Sequence, residues 1–226
     1  MNLTGPVPLL LWFHGRTVNK ELDPGRYARL LRLGIATCAV DLPGHGERRE
    51  EARQGPEATL GVIQQAVAEI DSVLRELQAL GGIDLNRLAI GGMSAGGMVA
   101  MVRCCREHQF RALLLEGTAG SWSGTGGRTW ANAPESMALE PIRNLEHWRD
   151  IPVLALHNTL DEWVQVGAQR EFMDRLRQRS ANPERIVLHE YPHSGAPAEH
   201  AGFGRFGADA KDRAASFLAQ WLSSAA

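Results

Sequence analysis

Cysteine is scarce in this chain, and what there is cannot build a staple. The 226 residues hold three, Cys38, Cys104 and Cys105. The number is odd and two of them are adjacent, which excludes an ordinary disulfide framework and fits buried free thiols in a reducing, cytoplasmic setting. Long apolar runs are also missing. None approaches the ~18–20 residues of a membrane span. The opening Met-Asn-Leu-Thr-Gly-Pro has no basic stretch followed by an apolar one, so no secretory signal is expected. Charge of one sign is missing too. Lys and Arg number 24 against 26 Asp and Glu, a formal charge of −2. The two signs are interspersed without a basic stripe, so nucleic acid is not an expected partner. No internal repeat and no low-complexity tract appears.

What is present is a chain with 44% apolar residues, long enough to bury a core without metal or disulfide. Apolar runs alternate with amphipathic helical patterns. Strands are predicted at 7–13, 35–40, 87–91, 111–115, 153–157 and 186–191. Helices are predicted from Asp23-Pro24 to Gly34 and over 57–80, 95–107, 166–179 and 209–222. Over 57–80, Leu60, Ile63, Val67, Ile70, Leu74 and Leu77 recur at steps of three and four. Between them, 41–54 is polar and punctuated by Gly and Pro, hence a loop. This alternation predicts an α/β fold: one mainly parallel sheet of about six strands with helices on both faces, in a single domain over 1–226. Right-handed crossovers bring every strand's C-terminal end to one edge, where open sheets bind ligands. The segment 117–150 breaks the rhythm with Gly117, Gly120, Gly124, Gly126, Gly127, Trp122, Trp130, Met137, Leu139 and Trp148. It reads as a small cap inserted over that edge.

The chemistry gathers at strand ends. Gly92-Met93-Ser94-Ala95-Gly96 occurs once, after a strand and before a helix. It is the pattern of a serine on a strained strand-to-helix turn. A serine hydroxyl needs a base and a group to orient that base. Asp161, a few residues past the fifth strand, is the candidate orienter, with Glu162 beside it as second choice. After the sixth strand His200 is the first candidate base, because Ser194-Gly195-Ala196-Pro197 can turn the chain back over the serine; His193 is the alternative. Oxyanion donors are expected from the backbone N–H of Arg16, just after His14-Gly15, and from that of Ala95 at a helix start. An Arg16 side chain facing the pocket would favour an acidic acyl or leaving group. No catalytic role falls to His14, Asp41 or His45. The spacing of His193, Glu199 and His200 matches no common zinc pattern, and neither metal nor cofactor is expected.

Together, His14-Gly15, Asp41-Leu42-Pro43-Gly44-His45-Gly46, the serine turn, Asp161 and His200 resemble the α/β-hydrolase superfamily over nearly the whole chain. The chain is similar to small bacterial carboxylesterases of the dienelactone-hydrolase and prolyl-oligopeptidase-like groups. It departs from them in lacking the first two strands, in carrying serine where dienelactone hydrolases carry cysteine, and in a longer histidine loop. The resemblance implies ester hydrolysis through an acyl-enzyme on Ser94, on a small-molecule ester; monomer and homodimer are both left open. Thioesterase, acyltransferase or peptidase chemistry would use the same parts, and a ligand-binding protein on a hydrolase scaffold is the reading from another class.

Overall fold

The computed structural model describes residues 5–122 and 129–223. Its six strands are β1 (Val7–Phe13), β2 (Ala36–Val40), β3 (Ile83–Met93), β4 (Ala112–Glu116), β5 (Val153–Asn158) and β6 (Ile186–Tyr191). They form one sheet in the order β2-β1-β3-β4-β5-β6, and every neighbouring pair is parallel. Among the described residues five α-helices lie between strands, α1 (Pro24–Arg32), α2 (Thr59–Leu80), α3 (Ala95–Cys104), α4 (Pro134–Met137) and α5 (Val166–Arg179), and α6 (Gly207–Leu222) follows the last strand. The expected α/β architecture is present, with differences at element ends. The third strand runs from Ile83 through Met93, longer than the predicted 87–91, because it pairs with β1 and β4 on its two sides. The helix after the serine stops at Cys104 rather than at Glu107.

Strand alternation divides the apolar side chains between two faces. Leu9, Leu11, Phe13, Leu113 and Leu115 point to the face covered by α2, α3 and α5. Leu10, Trp12, Leu114, Leu154 and Leu156 point to the face covered by α1 and α6. Helix α1 starts as its sequence demands: Asp23 caps it by accepting from the Arg26 N–H, and Pro24 takes the first position. Among the described residues no helix is long and apolar enough to cross a membrane.

The segment 117–150, expected as a cap, is described in part. Its Gly124, Gly126 and Gly127 lie outside the described residues. Trp122 and Trp130 meet edge to face at 5.5 Å between ring centroids, and Trp148 meets Phe172 at 5.7 Å. These rings pack with Phe110, Phe172 and Leu145 on the α2–α3–α5 face, and the cavity beside the serine is lined from other segments. Rings this large gain most where every side meets apolar neighbours, so they join the core.

One buried histidine sets a pH dependence of stability. His108 lies between Arg103 and Arg149, and its Nδ1 accepts the Phe110 N–H at 3.1 Å. Burial first, then the two guanidinium groups, pushes its pKa down to about 4 from 6.5. Between those values the unfolded chain binds a proton that the native chain does not, so stability falls as pH falls through that window. Burial also lowers His14, His45 and His157, which act with the same sign. Urea midpoints are therefore expected to drop from pH 7 to 4.5. His108→Asn, which keeps an acceptor for Phe110, is expected to flatten that dependence; an unchanged slope would contradict it.

Candidate active site

Ser94 is the residue between β3 and α3, and its backbone is left-handed, with φ 52° and ψ −121°. Such a conformation costs a non-glycine residue ~1–3 kcal/mol and persists only where the surroundings over-determine it. They do here. The Ser94 N–H donates to the Glu116 carbonyl at 2.9 Å. Its own carbonyl accepts from the Thr118 hydroxyl at 2.8 Å and from the Met98 N–H at 3.1 Å. The turn also needs two glycines for space. A Cβ on Gly92 would run into the Gly96 backbone, and one on Gly96 into the Phe13 carbonyl.

Asp161 sits just beyond β5 and is buried. Its Oδ1 accepts the backbone N–H groups of Trp163 at 2.9 Å and Val164 at 2.7 Å. That fixes the carboxylate plane and leaves Oδ2 for the His200 ring at 2.7 Å from Nδ1. An ionised carboxylate only accepts, so Nδ1 carries the proton and donates. The bare Nε2 then faces the Ser94 Oγ at 3.0 Å and accepts its hydroxyl proton. The Trp163 ring packs on the imidazole, 4.9 Å between centroids.

Of the two candidate histidines, His200 is thus the one hydrogen-bonded to Ser94. The His193 side chain is 68% exposed, and its Nδ1 lies 2.6 Å from Glu199 Oε1. Glu162 is exposed, and its backbone N–H donates to the Ala198 carbonyl. His14 is buried and serves the fold. The Leu42 N–H donates to its Nε2 at 3.0 Å, so its proton sits on Nδ1 and goes to the Gly15 carbonyl at 2.5 Å. Burial lowers its pKa and keeps it neutral. Asp41 accepts from the backbone and ammonium of Lys20 and from the Glu47 N–H, which closes the turn after β2.

Gly15 lies against the serine, its ideal Cβ position 3.5 Å from the Ser94 Cβ. Arg16 is the next residue after Gly15, and Ala95 follows Ser94 at the start of α3. The Arg16 guanidinium reaches the 53–55 turn, where Nη2 donates to the carbonyls of Arg53 at 2.8 Å and Gly55 at 2.6 Å.

Sequence reasoning missed the clasp that shapes the histidine loop. The Glu199 carboxylate accepts from the Ser194 N–H and hydroxyl, both at 2.7 Å, and from the Gly195 N–H at 2.8 Å. Ala198 and Glu199 are left-handed, with φ 51° and 48°. Asn158 at the end of β5 donates to the carbonyls of Glu199 and Gly202. These bonds hold His200 at the end of a strained turn. The Glu199 carboxyl is held down to about 2, first by the Ser194 hydroxyl. A Ser-Gly turn with a carboxylate four or five residues on was the available signal.

Beside Ser94 opens a cavity of about 570 Å³. Its walls include Trp12, Leu22, Tyr27, Met93, Trp163 and Phe203, with Arg16, Asp23, Arg26, Glu116 and Lys211 as charged residues. Among the described residues no group of His, Cys, Asp and Glu side chains could hold a metal ion.

Solved structures share this fold. A Thermus thermophilus protein superposes with TM-score 0.74 at 20% identity, covering 98% of this chain and 91% of its own. Thermogutta terrifontis esterase 2 gives 0.69 at 17%, covering 98% and 86%. A puromycin-hydrolyzing peptidase of Mycobacterium tuberculosis gives 0.67 at 18% over 98% of this chain, which spans only 35% of that longer one. At such identities the likeness is one of fold. No curated protein matches the sequence. Over residues 25–225 the sequence matches the prolyl oligopeptidase family, and the chain belongs to that family of serine hydrolases.

Proposed function

We propose that this chain hydrolyses carboxylic esters of small molecules through an acyl-enzyme on Ser94. The observation that carries the reading is the continuous chain from Ser94 Oγ to His200 Nε2 at 3.0 Å and from His200 Nδ1 to Asp161 at 2.7 Å. His200 takes the serine proton as Oγ attacks the ester carbonyl. Asp161 stabilises the imidazolium. The N–H groups of Arg16 and Ala95 hold the oxyanion, aided by the N-terminus of α3. His200 returns the proton to the leaving alcohol. A water activated by the same imidazole then attacks the acyl carbonyl, and Ser94 leaves. The mostly apolar cavity suits an acyl group of modest size, and the free thiols of Cys38, Cys104 and Cys105 support a cytoplasmic setting.

A second reading is amide cleavage by the same parts, favoured by the family match over 25–225. The experiment is a panel of p-nitrophenyl esters, acyl thioesters and peptide p-nitroanilides, with fluorophosphonate labelling of Ser94. Ester turnover well above anilide and thioester turnover supports the proposal. Faster anilides point to a peptidase. Stoichiometric ligand binding without turnover would make this a binder and end the enzymatic reading.

Glu199 gives a subtler test. Glu199→Ala removes the acceptor of the loop clasp and frees His200 to shift. A displacement near 1 Å costs on the order of 10²-fold. The expected loss is therefore in kcat, with KM within about threefold, and Glu199→Gln, which still accepts, should recover part of it. Equal kcat for wild type and Glu199→Ala would contradict the positioning role.

A further inference from the structure

The loop after β5 leaves one large ring uncovered. Trp163 is the one exposed aromatic side chain among the described residues, at 49%, where Trp12, Trp122 and Trp130 are buried. Burial is what an indole ordinarily gains most from. The ring lines the cavity together with Ser94, His200 and Phe203. Its place there is fixed twice. The Trp163 N–H donates to Asp161 Oδ1 at 2.9 Å, and the ring packs on the His200 imidazole, tilted by 41° with 4.9 Å between centroids. The residues on either side are held as well. The Glu162 N–H donates to the Ala198 carbonyl at 3.1 Å, and the Val164 N–H to Asp161 Oδ1 at 2.7 Å. A backbone this well bonded holds the indole at the cavity wall before any substrate arrives.

The imidazole covers part of the indole, and the rest is open. An open aromatic surface takes an apolar partner in preference to water. It takes an aromatic partner in preference to an aliphatic one of the same size, because paired rings gain energy beyond their buried area. Which part of an ester meets the ring follows from the path of the proton. His200 Nε2 lies 3.0 Å from Ser94 Oγ and must also come within hydrogen-bond reach of the leaving oxygen. The group on that oxygen therefore emerges beside the imidazole and beside the ring packed on it. The acyl chain is under no such demand, since the ester carbonyl that carries it is held through its own oxygen by the N–H groups of Arg16 and Ala95.

We propose that Trp163 sets leaving-group specificity: its open indole surface stacks with an aromatic ring carried on the alcohol of the ester. This deepens, and rests on, the ester-hydrolase reading. The indole touches the leaving alcohol and takes no part in the proton transfer. The backbone N–H that holds Asp161 survives any non-proline substitution at this position, so the ring can be removed while that bond stays.

The test compares benzyl acetate with cyclohexylmethyl acetate, whose rings have the same number of carbons and whose alcohols are close in acidity. Without stacking, the bulkier cyclohexane ring should do at least as well. The expected result is a kcat/KM ratio of about three to ten in favour of benzyl acetate. Trp163→Leu should bring that ratio to about one or below. A displaced His200 would slow both esters alike and leave the ratio untouched, so the ratio reports the ring contact and not the order of the loop. If Trp163→Leu fails to fold, product inhibition of the wild type decides: benzyl alcohol should inhibit at about a third or less of the concentration that cyclohexylmethanol requires. The proposal is overturned if cyclohexylmethyl acetate matches or outruns benzyl acetate on wild type, if Trp163→Leu keeps the ratio, or if the two alcohols inhibit equally. A preference found only when the ring sits on the acyl side, in ethyl phenylacetate against ethyl cyclohexylacetate, overturns the leaving-group assignment. Absence of ester turnover and of Ser94 labelling would sink the hydrolase reading instead. The stacking site then stands or falls on binding. The wild type is expected to hold benzyl acetate about threefold or more tighter than cyclohexylmethyl acetate, and Trp163→Leu to hold the two equally.

Discussion

Asp161→Asn will lower kcat on an activated ester by about 10⁴-fold while the protein stays folded, and Ser94→Ala and His200→Ala will lower it by ~10⁵-fold or more. The large effect of so small a change as Asp to Asn follows from the bonds around that side chain. Two backbone donors, Trp163 N–H and Val164 N–H, hold one oxygen of Asp161. An asparagine must keep its oxygen there, because turning the amide would set an NH₂ group against two N–H groups. Its NH₂ is then forced towards His200 and donates to Nδ1. The ring must answer with a bare Nδ1 and a protonated Nε2, so it presents a donor to Ser94 where an acceptor is required. The hydroxyl can no longer hand its proton over. His193→Ala is the matching control. That side chain is exposed and its ion partner is Glu199, a contact of small energetic weight, so kcat should change by less than about threefold. Steady-state rates on one ester, with fluorophosphonate labelling to count competent sites, check all four variants. Activity lost in His193→Ala and kept in His200→Ala would reverse the assignment of the base.

How far these residues could be read from the sequence depended on how local their reasons are. The six strands were legible because each is a short apolar run with a turn at its end. Their parallel order follows from the helices between them. The serine turn was legible because tight strand-to-helix geometry leaves a mark within five residues: Gly92 and Gly96 are glycines since a Cβ at either would strike backbone. Asp161 and His200 could be named because each follows a strand at the ligand-binding edge. Other features are set by contacts between distant segments. The tryptophans of 117–150 read as cap lining, yet Trp122 and Trp148 find their places against partners such as Phe172. The Arg16 side chain was open to either direction, and it turned to carbonyls of the 53–55 turn. The Arg26–Glu116 pair spans 90 residues of sequence. Arg26 sits in an amphipathic helix and Glu116 at a strand end, both ordinary places for a charge, and only the folded sheet puts them together under Trp12.

Removing Arg26 alone is expected to cost more stability than removing the whole pair. Arg26→Met leaves Glu116 buried and unpaired, a loss of about 3–5 kcal/mol. In a chain of this size that is roughly 6–20 °C in Tm. Arg26→Met/Glu116→Met replaces both charges with apolar groups of similar volume, and such replacements are often neutral or stabilising. The second substitution should therefore restore most of what the first removed, a coupling opposite in sign to simple addition. A pH dependence separates this cause from a packing defect. Burial already lifts the Glu116 carboxyl above its ordinary 4.5, against the pull of Arg26. Without the guanidinium that pull is gone and the pKa rises further. The native Arg26→Met protein then holds a proton on Glu116 at pH values where the unfolded chain has released it. Stability in that window falls as pH rises. The penalty of Arg26→Met relative to wild type should be small near pH 5 and grow towards pH 8, whereas the double variant should show no such growth. Urea unfolding of the three proteins across that range is the measurement. A penalty independent of pH would mean that the guanidinium matters here for its volume over Trp12 and not for its charge.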